Sequence, residues 1–452
     1  MTDINPSAAK LPHDRTSGRP WTATEVIYQI FPDRFRRGSN APRVQSDARH
    51  WRGEPVRVTD DRSRLTDPKL HQNHFYGGDL EGIAGALPYL SDLGVTAIYL
   101  NPIFAANTTH RYDTTDYQRI DPMLGDRRDF EALVQAMRRH EMMLVLDGVF
   151  NHTSSDHPWY HEVESRRSRY IMKPDGEAMS WQNSGHLPKL DLQNEEVVAS
   201  ILKVIDAWPE ADAWRLDAGH LIPRATLRRI REHAAPRRII VEDWNYAQHY
   251  DERHLADGVT NYAFREYLRC FFTEDCSPET LFDRMRLWID GYPRDFLRRS
   301  WNYLENHDLT RFRREVGRER LMRALVMKFT TPGTPMLFQG IETGLEGGPG
   351  DTHTRAPFDW DESTWDRELL DHVRSLIALR RDHPVLATGE FKPLYADNRT
   401  RTLAYEMRDE RRGERAVIAL NDGYRSASIE LNGDPGRIDL DAGAWRVSFH
   451  HD

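Results

Sequence analysis

Cysteine is nearly absent, since Cys270 and Cys276 are the only two in 452 residues. A lone C-x5-C pair supports no disulfide framework and lacks the second pair a structural zinc site would need, so both are read as free thiols. No run of 18 apolar residues occurs, and the first 25 residues are polar, rich in Pro, Asp and Ser, with no apolar leader core. The expectation is a cytoplasmic protein that contacts no membrane. Charge of one sign is missing as well. Lys+Arg 62 against Asp+Glu 71 leaves −9, with both signs mixed along the chain, so no basic surface is laid out for nucleic acid.

Aromatic residues, by contrast, are plentiful, with 12 Trp and 17 Tyr. Trp51, Trp159, Tyr160, Trp181 and Trp244 fall in loops or at strand ends, where a flat ring is free to stack on a ligand.

From residue 26 onward, short apolar runs alternate with helical patterns. Strands are expected at 26–31, 95–100, 142–147, 213–217, 239–242, 260–264, 301–304 and 335–339, with helices over 80–93, 127–140, 195–208 and 224–233. This rhythm implies a parallel sheet, and the length suits a (β/α)8 TIM barrel of about 250 residues plus additions. After His152 it breaks for some 45 residues rich in His, Trp, Ser and Gly, the mark of a lobe inserted after the third strand. From about Pro384 short alternating runs announce an antiparallel β unit. The reading is an arm over 1–24, a barrel over 25–152 and 195–383, a lobe over 153–194 and a small C-terminal antiparallel β domain over 384–452.

Three acids end three of the expected strands: Asp217, Glu242 and Asp308. Arg215 lies two residues before Asp217, hence on the same side of an extended chain, and a neighbouring cation favours the charged carboxylate. Asp217 is therefore a candidate nucleophile. Acids at strand tips of one barrel, with aromatic residues nearby, point to glycosidic chemistry.

In order and spacing, Asp147-Gly-Val-Phe-Asn-His152, Trp214-Arg-Leu-Asp217, Val241-Glu-Asp-Trp244 and Asn306-His-Asp308 resemble the four signature regions of the α-amylase superfamily of retaining α-glucan enzymes. Leu187-Pro-Lys-Leu190 is similar to the extra motif of its neopullulanase and cyclomaltodextrinase branch. Ile27-Tyr-Gln-Ile-Phe-Pro-Asp-Arg-Phe35, Phe75-Tyr-Gly-Gly-Asp-Leu80 and His220 resemble the bacterial maltodextrin glucosidases. The resemblance implies Asp217 as nucleophile, Glu242 as general acid/base and Asp308 as the carboxylate that binds the distorted sugar. It implies His152 and His307 as hydrogen-bonding partners of the reacting ring and Tyr112 as its stacking platform. Asp351 and Arg355 would contact the non-reducing end of an α-glucan oligosaccharide. For His220 a structural hydrogen bond and a sugar contact both stand.

The bland readings apply elsewhere. His110, His157 and His161 have no compact metal spacing and are read as solvated loop residues, and Arg138-Arg139 and Arg228-Arg229 as solvated helix faces. Relatives in this branch carry an N-terminal β domain that helps build a dimer, whereas the first barrel strand is expected near Val26, so a monomer or weak oligomer is expected. The implied activity is exo-acting hydrolysis of maltodextrins. Its rivals are cyclomaltodextrinase or neopullulanase action, glycosyl transfer, and a non-catalytic binding role.

No cofactor is expected. The loop after Phe35 reads Arg-Arg-Gly-Ser-Asn where calcium-binding relatives place Asn and Asp ligands, and of that oxygen set Asp79 remains. A hard cation needs about six oxygens. Chelation should therefore leave both activity and melting temperature unchanged, whereas a chelator-lowered melting temperature restored by calcium would refute this.

Overall fold

The computed structural model describes residues 19–39, 50–51, 53–59, 65, 72–245, 247, 249–252, 254–431 and 436–451. Most of the expected 1–24 arm lies outside the described residues.

Eight short strands form the centre: β1 (Ile27–Ile30), β2 (Ala97–Leu100), β3 (Met143–Gly148), β4 (Ala213–Leu216), β5 (Arg238–Val241), β6 (Gly258–Val259), β7 (Trp301–Asn302) and β8 (Thr334–Phe338). Neighbours in the order β6-β5-β4-β3-β2-β1-β8-β7 are hydrogen-bonded, every pairing being parallel, and a Thr260–Trp301 bridge closes the ring. The period of two along each strand sorts side chains between two cores. Ile27, Ala97, Tyr99, Met143, Val145, Ala213, Ile240 and Met336 fill the barrel interior. Their neighbours Tyr28, Ile98, Leu144, Leu146, Trp214, Ile239 and Leu337 point outward into the larger core beneath the helices.

The helices follow local signals. α1 (Leu80–Leu93) starts at Asp79, whose carboxylate accepts the Gly82 N–H, and ends at Gly94, whose φ of 95° suits a residue without a side chain. α2 (Arg127–Arg139) carries a reciprocal capping box between Asp126 and Asp129, and Asn194 caps α3 (Glu195–Ala207). α4 (Arg224–Ala234) then links β4 to β5.

The sixth strand requires a correction. It lies at Gly258–Val259 rather than 260–264, and Tyr262 opens α5 (Tyr262–Phe272). Tyr262, Arg265, Leu268 and Phe272 recur at helical spacing and are all buried, so packing decided the element type. The segment after β2, expected as loop, contains the hairpin Phe104–Ala106 with Thr114–Ile120.

Between β3 and α3 the chain leaves the barrel. Two short helices, Pro158–His161 and Val163–Arg169, are tied back by bridges His152–Lys189, Tyr170–Leu190 and Ser180–Pro188. Beyond the barrel's last helices, α6 (Pro278–Gly291), α7 (Arg318–Thr330) and α8 (Arg367–Asp382), comes the antiparallel sheet. β9 (Glu390–Asp397), β10 (Thr402–Asp409), β11 (Glu414–Asn421) and β14 (Trp445–His451) pair in that order, and β12 (Ala427–Glu430) with β13 (Arg437–Leu440) forms a hairpin. One face of the sheet, with Leu403, Tyr405, Met407 and Ile418, joins the barrel's outer core. The opposite face, with Ala404, Val417 and Ala419, packs on Ile429, Ile438 and Leu440 of the hairpin.

Arg380 of α8 fastens this junction. Its buried guanidinium donates to the carbonyls of Phe329 (2.8 Å), Thr331 (3.1 Å), Gly333 (2.6 Å) and Leu386 (3.1 Å), and burial pulls its pKa down to about 9. Arg380→Met relieves the buried charge but strands four carbonyls, and the second effect should win by about 2–3 kcal/mol. A urea midpoint at or above wild type would contradict that ranking.

Candidate active site

Strand register builds the site's floor. β3 and β4 pair so that Asp147 lies opposite Arg215, two residues above the apolar Val145–Ala213 pair, and both polar side chains point into the barrel mouth. Arg215 is 3% exposed and touches three acids. Its Nη1 donates to Asp147 Oδ1 (2.9 Å) and Asp217 Oδ1 (2.9 Å), and its Nη2 lies 2.8 Å from Glu242 Oε1. A planar guanidinium has the fork for such a role; an ammonium does not.

The turn after β4 places Glu242. Ala218 adopts left-handed φ 46°, ψ 37°, and its N–H donates to Glu242 Oε2 at 2.8 Å. Gly219 follows where a Cβ would stand 2.4 Å from Val241 Cγ1, so only glycine lets the turn lie against β5. The Tyr262 hydroxyl donates to Glu242 Oε1 (3.0 Å), and Trp244 stacks on Tyr262 with centroids 4.7 Å apart at 17°.

Arg215 does favour the charged form of Asp217, as its place in the sequence implies, but it is not the largest influence on that carboxyl. Burial pushes the Asp217 carboxyl well up; Arg215 opposes this, while Glu242, Asp147 and Asp308 add to it. Five carboxyls, of Asp147, Asp217, Glu242, Asp308 and Asp351, share two guanidiniums, Arg215 and Arg355, and like charges at close range raise one another.

His307 lies across the mouth. The network assigns its tautomer: Gln29 Nε2, which also donates to Asn101 Oδ1, lies 2.9 Å from His307 Nδ1, so Nδ1 accepts and Nε2 carries the proton. Nε2 faces the Tyr112 hydroxyl (2.7 Å) and Asp308 Oδ2 (3.1 Å). Tyr112 stacks on His307, 5.3 Å between centroids at 9°, and donates to Asp147 Oδ2 (3.0 Å). Burial keeps His307 well below its usual pKa and lowers His152 to about 4, so both rings are neutral at pH 7. His152 Nε2 lies 3.0 Å from the Tyr112 carbonyl, and its ring stacks on Trp181.

Arg355 braces the opposite wall, donating through Nη2 to Asp308 Oδ1 (2.8 Å) and Nε to the His307 carbonyl (2.9 Å) while Nη1 pairs with Asp351 Oδ2 (3.0 Å).

A cleft of about 660 Å³ collects Asp217, Glu242, Asp308, Tyr112, His152, His307, Asp351 and Arg355 on its walls. Arg215 sits beneath. His220 lines the cleft, and its N–H donates to the Glu242 carbonyl at 3.3 Å. Of the aromatic residues singled out, Trp181 and Trp244 line the cleft, while Trp51 is buried edge-on against His186 and Trp159 packs on His157.

Other expectations change. His110 and His157 are buried, not solvated: His110 lines the cleft and His157 caps the helix Pro158–His161. Arg138 lies against the barrel, bound to Asp212 and the Glu210 carbonyl. Asp79 spends one oxygen on Gly82 and Gly38 N–H groups. Among the described residues no group of His, Cys, Asp or Glu is placed to hold a metal. Sequence reasoning missed Asp147, Tyr99, Gln29, Asn101 and Tyr262. Asp147 and Gln29 lay inside quoted motifs and Tyr262 inside the expected sixth strand, but nothing in those stretches marked them as site residues.

The model of the α-amylase catalytic domain matches residues 29–239. The cyclomaltodextrinase of Thermoanaerobacter pseudethanolicus is 32% identical over 93% of this chain and 74% of its own length. Neopullulanase 2 of Thermoactinomyces vulgaris is 32% identical over 85% of this chain and 67% of its own. Among solved structures, the cyclic α-maltosyl-(1→6)-maltose hydrolase of Arthrobacter globiformis superposes with a TM-score of 0.86 at 27% identity, covering 95% of this chain and 99% of that one. The chain thus belongs to the α-amylase family of glycoside hydrolases, in its neopullulanase and cyclomaltodextrinase branch.

Proposed function

We propose that this glycoside hydrolase cleaves α-1,4 bonds of maltodextrins with retention, through a covalent glycosyl-enzyme on Asp217. The observation that carries the reading is the single Arg215 guanidinium bridging Asp217 and Glu242, which keeps the two carboxyls one guanidinium apart. Retaining enzymes need about 5–5.5 Å between nucleophile and acid/base, too close for an intervening water.

In the first step an Asp217 oxygen attacks the anomeric carbon while Glu242 passes its proton to the glycosidic oxygen, freeing the leaving sugar. In the second, Glu242 takes a proton from water, whose oxygen displaces Asp217. General-acid chemistry requires the Glu242 carboxyl to deliver its proton while Asp217 attacks. Asp308 stabilises the developing positive charge, and neutral His152 and His307 hydrogen-bond to the sugar without adding a competing cation.

Asp217→Asn and Asp308→Asn should each lower kcat by about a thousandfold or more, because their charge matters most in the oxocarbenium-like transition state. The first-formed product, followed by NMR, should have α configuration. A β-configured product, or near-normal turnover in either variant, would defeat the assignment.

We further propose exo action from the non-reducing end, supported by the charged Asp351–Arg355 pair in the cleft wall, which could hold terminal hydroxyls. Because Arg355 also holds Asp308, its replacement should affect both binding and chemistry. Asp351→Ala is the cleaner probe: KM for maltotriose should rise by the equivalent of about 1.5–3 kcal/mol with kcat little changed. Arg355→Ala should lower kcat too. A fast fall in starch–iodine colour with little reducing sugar would instead mean internal cutting, as in the neopullulanase alternative.

A further inference from the structure

The chain has only two cysteines, and the fold brings them together. Cys270 lies in the last turn of α5, and Cys276 lies in the turn that leads into α6. The Cys276 N–H donates to the Cys270 carbonyl at 3.1 Å. Residues joined by such a bond stand with their Cα atoms at about the separation a disulfide spans, roughly 4.4–6.8 Å. Their side chains meet as well, the Cys276 thiol being hydrogen-bonded to the Cys270 sulfur. Both are free thiols.

A guanidinium completes the set. Arg284 of α6 donates through Nη1 to Cys270 Sγ at 3.0 Å, and that contact is the largest of the influences raising its own pKa. Among the described residues Arg284 pairs with no carboxylate; the groups that act on its charge are Cys270, Cys276 and Tyr267. An arginine aimed at a sulfur and left without an acid adds little to stability. It suits the thiolate, the nucleophilic form of cysteine, which a neighbouring cation favours.

The two thiols have different surroundings. Cys270 is half-buried and reachable from solvent, whereas Cys276 is buried. Burial, followed by the hydrogen bond to Cys270, pushes the Cys276 thiol up to about 12, so it keeps its proton and directs it at the Cys270 sulfur. The turn between them is also a junction. Glu274 within it adopts a left-handed φ of 68°, and Arg401, from the turn between β9 and β10, donates to the carbonyls of Phe271 (2.6 Å) and Cys276 (3.4 Å).

We propose that Cys270 and Cys276 form a hydroperoxide-sensitive dithiol site, oxidised reversibly to a disulfide that braces the turn between α5 and α6. The Cys270 sulfur attacks the outer oxygen of a hydroperoxide ROOH and the O–O bond breaks. The alcohol ROH leaves with the former thiol proton, and Cys270 becomes a sulfenic acid. The Cys276 sulfur then attacks the sulfenic sulfur, the S–O bond breaks, and hydroxide departs with the Cys276 proton as water. Two electrons pass from the cysteines to the peroxide. Neither step uses the cleft, so the site stands independently of the maltodextrin reading.

The test treats the reduced full chain with hydrogen peroxide and follows intact mass and titratable thiols. Wild type should lose two hydrogens and both thiols, and dithiothreitol should restore them. Cys276→Ser should stop at a sulfenic acid on Cys270, trapped as its dimedone adduct. Arg284→Met should slow thiol loss about tenfold. Oxidised wild type should melt at a higher temperature than reduced wild type, a difference that dithiothreitol abolishes and Cys276→Ser lacks. Retention of both thiols, a disulfide between separate chains in place of the Cys270–Cys276 bond, or an Arg284→Met rate equal to wild type would overturn the site. An internal disulfide that leaves the melting temperature unchanged would overturn the brace.

Discussion

The Arg215 guanidinium holds Asp147, Asp217 and Glu242 together in the barrel mouth, and the geometry of the whole site follows from that contact. Its placement is poor economy for folding. A buried cation with several buried anions is often no more stabilising than apolar residues of the same volume, and removing one partner leaves uncompensated charge. The arrangement makes sense as chemistry. Burial and like-charge crowding push Asp217 upward against the pull of Arg215.

Strands supply the floor of the site and loops supply its walls. Arg215 and Asp147 sit on paired strands, and Asp217 and Glu242 follow directly at strand tips, so their spacing inherits the rigidity of the barrel. Trp181 and His186 come from the excursion after β3, Asp351 and Arg355 from the segment after β8, and Gln72 from the segment before α1. Walls built on loops can change in length and sequence without disturbing such a floor.

The C-terminal sheet is bound to the barrel by more than its apolar face. Asp422 is fully buried between Arg323 (2.9 Å) and Arg401 (3.2 Å), and Arg401 reaches the Phe271 carbonyl at the end of α5. The same junction positions Glu274 against Tyr424. An α5 end fixed in this way can carry a strained residue that a free turn would relax.

Much of this molecule was legible as text, for reasons of period and spacing. Alternating apolar runs and capped helical stretches yield a parallel barrel, because a period-two strand buried on both faces and an amphipathic helix have few other ways to pack. Asp217, Glu242 and Asp308 stood out as acids at the ends of such runs, and the (β/α)8 architecture is observed. The sixth strand was misplaced because Thr260–Phe264 satisfies β propensity locally, and only burial of Tyr262, Arg265 and Leu268 along one helix face settles it. Gln29 and Tyr112, themselves bridged by Asn101, converge on His307 from positions up to 278 residues away, and no local pattern records a meeting of that kind. The raised Asp217 carboxyl is likewise a property of assembly. Sequence identified a neighbouring arginine, but desolvation and the count of surrounding anions exist only once the barrel has closed. Residue types and spacing thus determined the fold and pointed to the acids at its strand tips, while tertiary structure decided how buried those acids are, which partners they share, the His307 tautomer and the walls around them, because those depend on distances the chain acquires only by folding.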